Sequence, residues 1–171
     1  MKATTLLEHQ HRGLRELCDA VEMGSAAMRV SLLPQLAGDL AAHIAVEEQV
    51  FYPVACAALH DDDWLVTMRA CRVQAERSLD RALLASPDGE EFARAIGELR
   101  GLVSKHVAEE EDVLFPRLEK ALDAQAMRAL GESIRTLYER EVESGYSSGS
   151  MRAAVGSAIA RVPEAMQRRR R

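Results

Sequence analysis

Aromatic side chains make up only 4% of the 171 residues, and clusters of Val, Ile, Thr and Tyr are few, so there is little from which to build a sheet. Cysteine is scarce too. Cys18, Cys56 and Cys71 form no CxxC pair, and their odd number excludes a complete disulfide framework. They are expected to be buried free thiols of a reducing compartment. No apolar stretch is long enough to span a bilayer, and Met1-Lys2-Ala3-Thr4-Thr5 runs straight into an amphipathic pattern with no leader-like segment. The expected location is the cytoplasm. Positive charge is in deficit, with a formal net charge of −5, which argues against a general nucleic-acid binder; Arg168, Arg169, Arg170 and Arg171 are the local exception.

What is abundant points to helices. Hydrophobic residues reach 47%, Ala and Leu are plentiful, and Glu, Arg and Lys lie between them. Ala and straight-chain residues lose little entropy in a helix, so the expected fold class is all-α. The first helix is expected from a capping box at Thr5-Leu6-Leu7-Glu8, with a buried stripe of Leu7, Leu14, Leu17, Cys18 and Val21 and a stop at Gly24. A second starts between Ser25 and Ser31, because Pro34 is best tolerated in a first turn, and runs through Leu40, Ile44, Val50 and Phe51 towards Ala57. A third follows the capping residues His60-Asp61-Asp62-Asp63, and Ser86-Pro87-Asp88-Gly89 separates it from a fourth over Phe92 to Leu114. Short connections predict an antiparallel up-down four-helix bundle over residues 1–122. A C-terminal helix is expected over 123–144, and a flexible basic tail over 145–171.

The chain repeats itself. Residues 36–53 read LAGDLAAHIAVEEQVFYP and residues 99–116 read LRGLVSKHVAEEEDVLFP. Without gaps they match at Leu36/Leu99, Gly38/Gly101, His43/His106, Ala45/Ala108, Glu47/Glu110, Glu48/Glu111, Val50/Val113 and Pro53/Pro116. Core packing asks for apolar type at helical spacing, and it asks for no repeated His and Glu. The second and fourth helices therefore read as equivalent halves of a two-fold arrangement.

His43 precedes Glu47 by four residues, as His106 precedes Glu110. On an α-helix that spacing stacks both side chains on one face, about 6 Å apart along the axis. Both pairs sit in apolar stripes, His43 between Leu40 and Val50 and His106 between Val103 and Val113. Burying bare carboxylates there is costly unless opposite charge compensates, and a metal cation would do so. The first helix adds His11, in phase with Leu7, Leu14 and Cys18, while His9 points elsewhere. The third helix offers no histidine. An ungapped offset from His11 selects Gln74, whose helical neighbours are Arg77, Ser78 and Arg81; Glu76, in phase with Val73, Leu79 and Leu83, is the expected inward group. The candidate metal ligands are thus His11, His43, Glu47, Glu76, His106 and Glu110. Mixed nitrogen and oxygen donors suit iron or manganese, and the lack of thiolates argues against structural zinc. Glu48 and Glu111 fall one position beyond the ligand face, as solvated or supporting groups.

HxxxEE followed by an aromatic-Pro pair, present twice, with Gln10-His11-Arg12 on the first helix, resembles the hemerythrin-like HHE cation-binding family from Ala3 to Leu122. The resemblance implies an oxo- or hydroxo-bridged pair of non-haem iron ions on His11, His43, Glu47, His106 and Glu110, able to bind or react with O2, peroxide or NO. Glu76 departs from it, since the family usually has histidine there. A third carboxylate would favour the ferric state and weaken reversible O2 binding, and a single ion is the alternative count. The expected function is a di-iron protein that binds, senses or detoxifies O2, peroxide or NO, or responds to iron. The alternatives are a di-iron enzyme of catalase, peroxidase or oxidase type, and a metal-poor helical interaction module.

Overall fold

Helix α1 (Ala3–Met23) begins two residues before the expected cap, in a computed structural model that describes residues 1–144. The expected basic tail, 145–171, lies outside the described residues. Lys2 is the N-cap and makes no side-chain cap bond, so the capping box at Thr5 is not used. The first turn is held from outside instead. Thr4 Oγ1 donates to Glu119 Oε1 at 2.6 Å, and Lys2 pairs with the same carboxylate at 3.7 Å.

Helix α2 is one rod in three parts: Ala26–Val46, a π-helical turn Glu47–Phe51, and Tyr52–Leu59. Ser25 caps it, its hydroxyl accepting from the Met28 N–H at 3.4 Å, which leaves Pro34 in the interior rather than the first turn. Arg29 ties these extra turns down. It donates to the carbonyls of Val21, Glu22 and Pro87 at 3.3, 2.9 and 2.7 Å and lies over the Phe92 ring. Those contacts offset the helical hydrogen bond that proline cannot donate.

Helix α3 (Asp63–Leu84) returns, and α4 repeats the three-part build as Glu90–Glu109, a π-helical turn Glu110–Leu114, and Phe115–Ala121. Helix α5 (Ala124–Ser144) is capped by Asp123, whose Oδ1 accepts from the N–H groups of Gln125 and Ala126 at 2.9 and 2.8 Å. Each π turn ends just before a repeated proline. Pro53 and Pro116 carry no N–H, and a proline ring crowds the carbonyl four residues back. A widened turn relieves that crowding: the Tyr52 N–H reaches Glu47 O, and the Phe115 N–H reaches Glu110 O. The inserted residue shifts the buried stripe by one. Phe51, Tyr52, Leu114 and Phe115 are buried, whereas Val113, expected inside, is 49% exposed and Val50 only half-buried.

Helices α1 and α3 each pack against both α2 and α4, so they face one another across the bundle, and α5 lies against α1 and α2. Gly131 of α5 sits so near the N-terminus that a Cβ there would collide with the Met1 carbonyl. Among the described residues every regular element is helical, and no helix is long and apolar enough to cross a membrane. The apolar interior is split in two. One cluster gathers Leu14, Leu36, Leu79 and Ile96, the other Leu7, Phe51, Leu118 and Ile134. His11 lies between Leu7 of one cluster and Leu14 of the other, and both π turns fall at the same level. This layer is polar.

Candidate metal centre

Helix α1 delivers His11 to the polar layer, α2 delivers His43 and Glu47, and α4 delivers His106 and Glu110. His11, His43, Glu47 and Glu110 are buried, while His106 keeps 16% of its side chain exposed. One donor atom from each of His11, His43, Glu47 and His106 lies within 4.8 Å of the other three. Glu47 Oε1 is the hub, 2.7 Å from His43 Nε2, 3.0 Å from His106 Nε2 and 3.9 Å from His11 Nε2. Glu110 Oε2 closes the cluster at 3.2 Å from His11 Nε2 and 3.8 Å from His106 Nε2. Yet His11 Nε2, His43 Nε2 and both Glu110 oxygens make no hydrogen bond. Buried polar atoms left in that condition are costly. Donor atoms that converge without aligning on one another fit a cation between them, and three imidazoles with two carboxylates suit a transition-metal ion.

The far side of each ring explains its orientation. His11 Nδ1 lies 2.9 Å from Glu111 Oε1, and His43 Nδ1 lies 3.0 Å from Gln10 Oε1. An oxygen acceptor takes the Nδ1–H hydrogen bond, so Nε2 faces inward and carries the lone pair when the ring is neutral. Phe115 stacks on His11 with centroids 5.8 Å apart. Tyr52 donates its hydroxyl to Glu47 Oε2 at 3.0 Å, a bond between residues five apart that the π turn brings onto one face.

The electrostatics are those of a tight acid–imidazole cluster. Burial by itself would lower the pKa of His11, but the nearby Glu110 and Glu47 carboxylates outweigh it and push the group up to about 10. His106 is pushed up to about 9 in the same way, mainly by Glu47. Glu47 is held well below the usual carboxylate range, because the neighbouring imidazoles outweigh its burial. Burial and the charge of Glu47 together raise Glu110. Burial and the same charge raise the Tyr52 phenol well above its ordinary value, so it keeps its proton.

The fold gathers five of the six expected side chains and leaves Glu76 aside. The face that α3 turns to this layer carries Cys71, Arg72 and Ala75. Glu76 is one residue, about 100° of helical rotation, beyond Ala75. It pairs with Arg72 at 3.6 Å, and burial raises its pKa. Gln74, the alternative, is exposed at a surface groove with Arg77 and Arg81. Two contributors were missed, Gln10 and Tyr52, whereas Glu111, expected as a solvated or supporting group, supports His11. Gln10 adjoins His11 and so carried a signal. Tyr52 carried none, since only a π turn places it beside Glu47.

The model of the hemerythrin HHE cation-binding domain family matches residues 2–118, and again residues 66–143. The second match begins inside α3, which a chain of repeated halves permits. No curated protein matches. Among solved structures, the crystal structure of a hemerythrin HHE cation-binding domain-containing protein from Mycobacterium kansasii is similar, with a TM-score of 0.75, 19% identity, and coverage of 84% of this chain and 89% of that one. That likeness speaks for the fold. With a family match over most of its length, and a cation-type donor cluster between its helices, the chain belongs to the hemerythrin HHE cation-binding domain family.

Proposed function

We propose that the polar layer holds two non-haem iron ions and that the protein uses them to bind, sense or detoxify O2, peroxide or NO. The observation that carries this reading is the convergence of the buried His11 and His43 and the half-buried His106 on two buried carboxylates, with His11 Nε2, His43 Nε2 and both Glu110 oxygens left without hydrogen bonds. His43, His106 and Glu47 would hold one ion, and His11 and Glu110 the other. Glu47 Oε1 lies within 3.9 Å of all three imidazoles and so is placed to serve both. The charge of bound metal would compensate the two buried carboxylates and so couple metal binding to folding.

Iron supplies a redox couple and coordination positions that five protein donors leave vacant. The chain's own groups do the rest. Glu111 and Gln10 orient the rings of His11 and His43, Phe115 shields one face of His11, and the Tyr52 hydroxyl donates to Glu47 Oε2 with the oxygens 3.0 Å apart. A helical interaction module without metal would leave those buried atoms without hydrogen bonds, which disfavours that reading. The free thiols favour the reducing cytoplasm.

Anaerobic loading with ferrous salt, followed by metal analysis and near-ultraviolet spectroscopy after oxidation, tests the proposal. A pair of irons per chain and a new absorption band are expected. Protein that stays colourless and iron-free refutes it. Peroxide disproportionation by the loaded protein, lost in His43→Ala, would move the assignment to an enzyme.

A further inference from the structure

Aromatic rings are scarce in this chain, yet they are not scattered. Among the described residues every Phe, Tyr and Trp except Phe92 belongs to the apolar cluster around Leu7 and Leu118, on one side of the polar layer. Two of these rings are readily oxidised, and they meet. Tyr52 and Trp64 pack edge to face, with centroids 5.2 Å apart and planes at 72°. Tyr52 is buried and donates its hydroxyl to Glu47 Oε2 at 3.0 Å, so this ring is anchored on the candidate metal centre. Trp64 stands in the first turn of α3 and is half-buried, in contact with both the cluster and solvent. The pair therefore spans the distance from Glu47 to the surface.

Packing alone does not ask for these two residue types. Phenylalanine fills the neighbouring positions, Phe51 against Phe115 with centroids 5.5 Å apart, and a phenyl ring gives up no electron under biological conditions. A phenol does so when a base takes its proton, because no net charge is then left in apolar surroundings, and Glu47 Oε2 is such a base. The far end of the pair is suited to an oxidised indole. Trp64 follows Asp61, Asp62 and Asp63, and its N–H donates to the Asp61 carbonyl at 2.9 Å. The Asp61 carboxylate is taken by Arg117, but Asp62 and Asp63 are exposed, and Asp62 makes no side-chain cap bond to α3. Negative charge beside the ring stabilises its radical cation and draws cationic reductants to it.

We propose that Tyr52 and Trp64 form a one-electron relay that drains oxidising equivalents from the polar layer to a thiol in solution. The proposal rests on the metal reading above and adds to it a fate for oxidation that goes astray. A one-electron oxidant produced when peroxide is reduced in the layer takes one electron from Tyr52, whose proton passes to Glu47 Oε2, leaving a neutral phenoxyl radical. Trp64 gives one electron to that radical, the proton returns from Glu47, and the phenol is restored. The oxidised indole then takes one electron from a thiolate, and two of the resulting thiyl radicals join as a disulfide. Each turn thus leaves both rings as they began.

Pulse radiolysis tests the coupling of the rings without any metal, since coupling is the same in both directions. Trp64 is the only tryptophan of the chain, so azide radicals, which oxidise indole selectively, place the first radical there. In the metal-free full chain the indolyl absorption is expected to decay into phenoxyl absorption at a rate independent of protein concentration. Tyr52→Phe, which removes one hydroxyl, should abolish that step, whereas Tyr138→Phe and Tyr146→Phe should keep it. In the iron-loaded chain given peroxide, freeze-quenched samples should show by electron paramagnetic resonance a phenoxyl radical that cysteamine quenches quickly in wild type. Trp64→Phe should keep the wild-type iron content and prolong the radical, and Trp64→Tyr, which restores an oxidisable ring, should shorten it again. Indolyl decay that depends on collision between chains, or that survives Tyr52→Phe, overturns the relay, as does a phenoxyl lifetime unchanged in Trp64→Phe. Transfer between the rings in a protein that takes up no iron overturns the metal reading, and with it the role of the relay as a drain.

Discussion

Helices α1 and α3 look onto the same pair of π turns from opposite sides, and they answer the two-fold repeat differently. In the outer layer the symmetry survives. Glu111 of α4 meets Arg15 of α1 at 3.6 Å, and Glu48 of α2 meets Arg72 of α3 at 3.2 Å. In the inner layer it is broken: α1 adds His11 and the Gln10 that orients His43, while α3 adds Cys71 and Ala75. Repeated Glu-Glu pairs thus recruit a cation on each flank, but only one flank closes over the inner carboxylates. The consequence is one buried donor more on the α1 side and one small cavity on the α3 side.

The largest effect should come from breaking the α1 side. His11→Ala removes the nitrogen nearest Glu110 and is expected to cost at least half of the bound iron, whereas Glu76→Ala on α3 should leave iron content at the wild-type level; metal analysis after anaerobic loading measures both. Equal loss in the two variants would erase the asymmetry. Next comes the support of the rings. Gln10→Ala and Glu111→Ala should each weaken metal affinity by about 10- to 100-fold, as competition with a chelator would show, because the freed Nδ1 no longer fixes the ring.

A third expectation concerns pH in the metal-free chain. His11 and His106 are raised to about 10 and about 9 from an ordinary 6.5, with Glu110 and Glu47 outweighing burial. Groups raised on folding stabilise fully below their unfolded value and lose that contribution as pH climbs through the folded one. The urea midpoint should therefore fall between about pH 6.5 and pH 10, while metal binding strengthens over the same interval because ions displace those protons. Arg72→Ala should leave that profile in place. A midpoint that rises across the interval would contradict the ion-pair account.

Two smaller effects sharpen the comparison. Cys18 of α1 and Cys71 of α3 are both buried, and burial pushes the Cys18 thiol up to about 12. Maleimide under native conditions should modify the more accessible Cys56 first, with the other two reacting only on unfolding. Smallest of all, Arg72→Ala should cost less than about 1 kcal/mol by chemical denaturation, since its pairs with Glu48 and Glu76 are partly solvated.

The helical class and the five inward polar side chains were legible because both follow from spacing. Periodicity near 3.6 marks the buried faces, and a repeated His-x-x-x-Glu inside such a face is foreign to packing. Errors arose where the helix departed from that period or where a partner lay far away in sequence. Val113 was placed inside on a regular turn, but the π turn before Pro116 rotates it outward and brings Phe115 in. Thr5 was given a cap that Thr4 and Lys2 make unnecessary by reaching Glu119. Pro34 was moved to a first turn, although Arg29 anchors the helix before it to three carbonyls. Glu76 was chosen by phase against Leu79 and Leu83, and Arg72 holds it elsewhere.

By itself the sequence determined that helices form, that two of them carry equivalent His–Glu turns, and that a third contributes His11, because these depend on local periodicity and on the types of residue repeated. The tertiary structure decided which oxygen fixes each ring, how far Tyr52 swings towards Glu47, and which flank stays open beside Ala75. Those outcomes depend on the angle and depth at which separate helices meet, and a shift of one residue in a single turn is enough to change them.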